Sequence, residues 1–190
     1  MAKVAVVETA KETAQRRPVH FGKRFAIGRA SVEVAAPAIR ISLRGPEASV
    51  PALSKALGFT LPQKSKTSAA KNDVDALWLG PDEWFIIAPE GSDILARFAK
   101  VSAFHSAVDI SHRNAALIVS GAGAADVINS GCPQDLSLKA FPVCACSRTL
   151  MGKTEVILYR TAEDQFHIEV WRSFATYALD FIEDAIRRDV

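Results

Sequence analysis

The sequence predicts an α+β fold of two similar β-α-β-β-α lobes, each with an antiparallel sheet whose helices pack on one face. Three observations carry this. Strand-like alternation and helix-like periodicity interleave along the whole chain. The same order of elements occurs twice: strand, glycine turn, helix, loop, strand, acidic turn, strand, helix. Within each copy an acidic turn leads into an apolar run, PDEWFIIAP in the first and EDQFHIEVW in the second. With 190 residues, 49% of them hydrophobic, the chain suits one globular domain or two small lobes sharing a core.

Residues 1–36 show no clear periodicity. They hold seven Lys/Arg against three Asp/Glu, including the stretch RRPVHFGKR. They read as a basic N-terminal arm, either flexible or ordered by docking its aromatics on a larger partner. Ordered structure is expected to begin near Pro37, with a first lobe over 37–104 and a second over 105–190.

In the first lobe, AIRISL (38–43) alternates apolar and polar residues as a half-buried strand does. Gly45–Pro46 breaks it and Pro46 suits a helix start. Val50, Leu53 and Leu57 then recur at helical spacing, with Gly58 as the stop. Residues 63–73 are polar and turn-rich, hence a loop. DALWLG (75–80) and WFIIAP (84–89) are strands around the turn Gly80–Glu83. Ser92 caps a helix bearing Ile94, Leu95, Phe98 and Val101.

In the second lobe, AALIVSG (115–121) is a strand and GAADVINSG (123–131) a short helix. A loop runs through Pro133, Pro142 and the cysteines. EVILYR (155–160) and FHIEVW (166–171) are strands around Thr161–Asp164. Residues 173–188 form the clearest helix, with Ser173 as cap and an apolar stripe of Phe174, Tyr177, Ala178, Phe181, Ile182 and Ala185. Arg187 and Arg188 sit at the negative end of its dipole. Gly45 corresponds to Gly121, and Phe85 to Phe166.

A net charge of +2 makes no demand for nucleic acid as a partner. No apolar run reaches the roughly 20 residues of a membrane span, and Glu8 and Glu12 interrupt the N-terminus, which is unlike a secretory signal. Cys132, Cys144 and Cys146 are odd in number and lack a zinc-type spacing. They read as idle or buried thiols in a reducing, cytoplasmic setting.

The densest polar cluster is DISHR, with Asp109, Ser111, His112 and Arg113 between two apolar runs. In a continuing strand Asp109 and Ser111 share one face and His112 takes the other. That geometry argues against a Ser–His–Asp triad, and no GxSxG elbow is present. The structural alternative has Asp109 and Ser111 taking up backbone N–H groups at a corner, with His112 and Arg113 pairing with acidic turns or facing a partner. GAGAAD lacks the third glycine of a dinucleotide fingerprint. Trp84 and Trp171 occupy roughly equivalent strand regions, suited to a core or to a protein interface. The structural or interface candidates are therefore Trp84, Asp109, Ser111, His112, Arg113 and Trp171; catalytic, cofactor and metal residues are none.

The segments LWLGPDEWFIIAP, VDISHRNAALIVSG, SGCPQDLSLKAFP, CSRTL and FHIEVWRSFATYAL, in that order from about Ala38 to Asp184, resemble the gamma-subunit family of heterotetrameric sarcosine oxidases. The resemblance implies a fold similar to part of the aminomethyltransferase (glycine-cleavage T-protein) fold. It implies a complex that oxidatively demethylates sarcosine to glycine, with hydrogen peroxide and either formaldehyde or methylene-tetrahydrofolate as products. The implied partners are alpha, beta and delta subunits, which would hold FAD, FMN, NAD, tetrahydrofolate and zinc. The chain lacks the Gly-Gly-rich strand and acidic pair with which folate-binding relatives contact the pterin, so no catalytic residue carries over. The expected role is a noncatalytic gamma subunit; the alternative is a stand-alone tetrahydrofolate-binding or C1-transfer protein.

Overall fold

A strand that alternates apolar and polar residues offers two faces, and both must be placed. In the computed structural model, which describes residues 22–188, helices cover one face of each of two antiparallel sheets, and the other faces meet. The layers run helices, sheet, sheet, helices.

The first sheet has the order β4-β5-β6-β3-β7, formed by β3 (Ala38–Arg44), β4 (Ser68–Lys71), β5 (Val74–Gly80), β6 (Glu83–Pro89) and β7 (Ser106–Asp109). Its helices are α1 (Val50–Leu57) and α2 (Ile94–Phe98). Pro51 sits in the first turn of α1, and Gly58 ends it at φ +92°, a conformation that costs glycine nothing. Val50, Leu53 and Leu57 pack on Ile41, Leu43, Trp84, Ile86 and Phe98.

The second sheet has the order β1-β2-β8-β11-β10-β9. Its strands are β1 (Arg24–Ile27), β2 (Ala30–Val34), β8 (Asn114–Ser120), β9 (Cys146–Met151), β10 (Thr154–Ala162) and β11 (Gln165–Trp171). Its helices are α3 (Ala124–Asn129) and α4 (Ala175–Arg188). Val32, Leu117, Leu158, Phe166 and Ile168 meet Val127, Ile128, Leu179 and Ile182 in its core.

The duplication is visible in the sheet orders. β4-β5-β6-β3 and β9-β10-β11-β8 match strand for strand, and β7 lies where β2 lies. Without the edge strands β4, β9 and β1, each sheet keeps four strands in the spatial order of the split β-α-β unit. The lobes meet reciprocally: Ser68 N donates to Cys144 O (3.1 Å) and Cys146 N to Lys66 O (3.4 Å). Lys66 and Cys144 both have left-handed φ, +60° and +68°.

Several expectations change. Residues 1–36 are not wholly an arm: β1 and β2 form a hairpin inside the second sheet, turned tightly at Gly28 (φ +57°). His20 and Phe21 lie outside the described residues. Residues 106–109, assigned by sequence to the second lobe, pair with β3 of the first. The first lobe thus owns one strand, β7, and the second owns two, β1 and β2, from beyond its sequence boundary, because sheet pairing obeys space rather than chain order.

β4 lies inside the expected loop 63–73, joined to β5 by Asn72 and Asp73, both at positive φ. β9 likewise lies in the expected cysteine loop. Phe166 is equivalent to Trp84 rather than Phe85: Gly45 N bonds Asp82 O and Gly121 N bonds Asp164 O, and both Trp84 and Phe166 face helices. Neither Ser173 nor Ser92 caps a helix. A 3₁₀ turn at Arg172–Phe174 precedes α4, and Asp93 precedes α2. Ala175, Ala178, Leu179, Ile182 and Ile186 are the buried face of α4, leaving Phe174 and Tyr177 exposed.

Candidate functional site

The two sheets touch through an apolar patch of Leu77, Phe85 and Ile87 from one and Cys146, Ile157 and Tyr159 from the other. Beside it lies a buried polar cluster. Arg40 of β3 directs its Nε to both carboxylate oxygens of Glu169 on β11, at 2.8 and 2.7 Å. Asn114 Nδ2 donates to the same carboxylate at 3.2 Å, and His167 Nε2 lies 2.8 Å from Oε1. Both charged side chains are almost fully buried. Burial alone would raise the Glu169 carboxyl. The contacts from His167 and Arg40 outweigh it and hold the group below the ordinary glutamate range. A general acid or base must reach a proton on its substrate. Glu169 is enclosed, with its oxygens occupied by protein donors, so it locks β3 to β11 across the layer.

Two further contacts cross the layer. Tyr159 Oη donates to Asp75 Oδ1 at 3.1 Å. Glu83 accepts from Arg148 of the second sheet (2.6 Å) and from Arg44 of its own (3.0 Å). The Arg148 hydrogen bond, foremost, holds the Glu83 carboxyl below its usual range.

The DISHR segment completes the same region. β7 ends at Asp109, and residues 110–113 are a turn closed by Arg113 N to Ile110 O (2.9 Å), so the condition of a strand continuing to His112 is not met. Asp109 Oδ1 accepts from Ser111 N (2.8 Å) and Ser111 Oγ (2.5 Å), and Ser111 Oγ accepts from Arg40 N (2.9 Å). Ser111 is thus a buried linker that positions the β3 backbone at Arg40. His112 and Arg113 turn outward, so no Ser–His–Asp triad is assembled here.

The two tryptophans part company. Trp84 is 1% exposed and donates Nε1 to Pro62 O at 2.7 Å, a core residue. Trp171 is 42% exposed, with the Arg113 guanidinium 4.1 Å above its ring and Phe174 at 6.3 Å. Such a stacked, solvent-facing cation and aromatic pair is the composition of a protein-binding patch.

The cleft beside Glu83, Arg113, Asn114, Arg148, Glu169 and Trp171 holds about 70 Å³. Small-molecule pockets need about 300 Å³ or more, so a pterin does not fit. A broader concavity of about 670 Å³ lies outside the first lobe. Its polar groups serve the protein itself, Arg97 bonding Asp93 and Lys71 bonding Gly58 O. No group of three or more His, Cys, Asp or Glu among the described residues could hold a metal ion. Burial pushes the Cys146 thiol up to about 12, which makes it a poor nucleophile. The glycines of GAGAAD receive the β1–β2 turn: Gly123 N donates to Arg29 O (3.0 Å), and a Cβ on Gly121 would strike that carbonyl.

Sequence reasoning passed over Arg40, Glu83, Arg148, His167 and Glu169. Their alternation with apolar residues reads as a solvent face; the missing information is that a second sheet covers it.

The family model for the sarcosine oxidase gamma subunit matches residues 44–188. The chain is 34% identical over 138 residues to the sarcosine oxidase subunit gamma of Corynebacterium sp. (strain P-1), covering 71% of this chain and 68% of that one. It is 33% identical to the subunit gamma of Arthrobacter sp. over the same shares. Among solved structures it is similar to the heterotetrameric sarcosine oxidase from Corynebacterium sp. U-96 in complex with pyrrole 2-carboxylate. That match has a TM-score of 0.80, 27% identity and 84% of both chains covered. Aminomethyltransferase T of the glycine cleavage system from Bartonella henselae shares the fold, with a TM-score of 0.60 at 19% identity over 81% of this chain and 45% of that one. The chain belongs to the sarcosine oxidase gamma subunit family.

Proposed function

We propose that this member of the sarcosine oxidase gamma subunit family is a noncatalytic chain of a heterotetrameric, cytoplasmic sarcosine oxidase, bound there to alpha, beta and delta subunits. The complex would consume sarcosine, water and oxygen and release glycine, formaldehyde and hydrogen peroxide, or pass the carbon to tetrahydrofolate. FAD, FMN, NAD, tetrahydrofolate and zinc would belong to the other subunits. Here the likeness to the Corynebacterium U-96 heterotetramer supplies the setting. The single observation that supports the structural role is the division of polar groups. Asp109, Ser111, Arg40 and Glu169 are spent inward on one another, whereas Arg113 and Trp171 face out as a stacked pair.

The test is co-expression with the three other subunits and affinity recovery through this chain. Trp171→Ala and Arg113→Ala should each lower recovery of the flavin-bearing complex about tenfold or more, as interface hot spots do. The complex that still assembles should keep kcat within about twofold. Normal assembly with turnover reduced by orders of magnitude would overturn the reading. So would micromolar binding of tetrahydrofolate to the isolated chain in calorimetry.

A further inference from the structure

We infer that Arg113 and Arg172, set beside Trp171, receive an acidic side chain on a segment of one of the larger subunits. The inference rests on the subunit role proposed above and names the chemistry of its contact.

The charges of this region are matched with two exceptions. Glu169 has Arg40 (2.7 Å), Glu83 has Arg148 (2.6 Å) and Arg44 (3.0 Å), and Glu155 has Arg148 (3.7 Å). Arg113 and Arg172 are left over. Arg172 N donates to Arg113 O at 2.7 Å, which joins the two backbones. Asn114 lies between them: it lines the cleft with Arg113 and a small hollow with Arg172 and His112. Among the described residues neither guanidinium meets a carboxylate, and both side chains are exposed. One face of Arg113 rests on the Trp171 ring at 4.1 Å. The stack fixes the plane of the guanidinium and leaves its edge N–H groups open. A fork held in this way suits a bidentate carboxylate.

The surroundings select the occupant. The cleft that Arg113 and Trp171 line holds about 70 Å³, which admits a side-chain tip rather than a whole ligand. Trp171 and Phe174, with ring centroids 6.3 Å apart, offer apolar surface to the stem of an aspartate or glutamate. Nucleic acid is a poor fit, because Glu83 and Glu155 line the same cleft and would repel its phosphates. A second copy related by a two-fold axis would set these cations against one another. Residues 1–21 hold four Lys/Arg against two Glu, so the chain's own N-terminus carries the wrong sign. An acidic segment of a larger subunit matches the charge, the size of the cleft and the rings together.

In the co-expressed complex, Arg113→Lys or Arg172→Lys places a primary amine at the site. A carbodiimide, which joins an amine to a carboxylate in contact, should couple residue 113 or 172 to an Asp or Glu of one larger subunit. Mass spectrometry of the cross-linked peptide identifies that residue. Charge gives a second readout. Arg113→Gln should lower recovered complex about tenfold and Arg113→Glu about a hundredfold, with the Tm of the isolated chain kept within about 2 °C in both. Assembled variants that cross-link only within this chain or not at all overturn the inference and leave the subunit role standing. So does an Arg113→Glu chain that assembles as well as Arg113→Gln. Failure of wild type to assemble overturns both readings. Nuclease-sensitive nucleic acid bound to the isolated chain and lost in Arg113→Glu overturns the inference in favour of a phosphate ligand.

Discussion

Ile87 and Glu169 occupy equivalent strands and equivalent faces of the two lobes, as do Phe85 and His167. The first lobe turns two apolar side chains toward its partner sheet; the second turns an imidazole and a carboxylate. Arg40 makes this tolerable. It pairs beside Ile87 in its own sheet, whereas Ala116 pairs beside Glu169 in the other, and the small alanine accompanies a guanidinium that crosses the layer to the carboxylate. Duplicated topology therefore did not require duplicated chemistry. It required only that charge on one face be matched from the other.

The sharpest way to break this comparison is to remove one side of the match. Glu169→Ala should destabilise the chain by about 3–5 kcal/mol, since it strands a buried guanidinium. A variant combining Arg40→Leu, His167→Phe and Glu169→Ile restores the apolar pattern of the first lobe and should be near neutral. Guanidinium unfolding measures both, and equal losses would show that the cluster is not a matched set. The pH dependence follows. The folded Glu169 carboxyl lies below its ordinary value, so its stability contribution is full above that value and is lost as pH falls through the folded one. Acid unfolding of the triple variant should therefore be less steep.

A second contrast lies at the matched glycines. Gly121 sits at φ +113° with the Arg29 carbonyl where a Cβ would stand, so Gly121→Ala should cost about 2–4 kcal/mol. A Cβ on Gly45 would crowd the tip of Leu53, at 2.9 Å, and make ordinary contacts with His105 Cβ (3.5 Å) and Phe104 O (3.6 Å), so Gly45→Ala should cost about 1 kcal/mol or less. Thermal unfolding of the two variants ranks them. Equal costs would mean that the hairpin does not press on the second lobe.

The smallest effect concerns Asp75, whose carboxyl burial, foremost, holds above its ordinary value despite the hydrogen bond from Tyr159. Its equivalent in the second lobe is Ile157. A raised folded value means that ionised Asp75 costs stability once pH passes the ordinary aspartate range. Asp75→Asn keeps an acceptor for Tyr159, so Tm at pH 7 should rise slightly, with the gain fading as pH falls toward 4 (about the ordinary aspartate value). A lower Tm at pH 7 would show that the charge itself is needed.

Much of this was legible. The alternation in AIRISL and FHIEVW, Gly58 as a stop and the repeated element order all appear as read, and the last helix appears two residues later than read, with Phe174 and Tyr177 of its expected stripe exposed. β4 and β9 were hidden because polar, turn-rich strands at sheet edges look like loops. The hairpin of residues 24–34 was hidden for a different reason. Ala30, Val32 and Val34 do alternate, yet in five residues that pattern is weak without β8 beside it. At the candidate site, Asp109 and Ser111 showed as a corner, but Arg40 and Glu169, far apart in sequence, had no common signal.

Local period and turn chemistry in the sequence were enough for the longer strands and helices, from β3, β5 and β6 to β8, β10, β11 and α4, but not for β4, β9 or the β1–β2 hairpin. Only the tertiary structure decided which strands share a sheet, what lies over the other face, and hence whether Arg40, His167 and Glu169 are solvated charges or a buried lock. Those outcomes depend on pairing across the whole chain. A period of two records that a strand has two faces, without recording whether water or a second sheet covers the second.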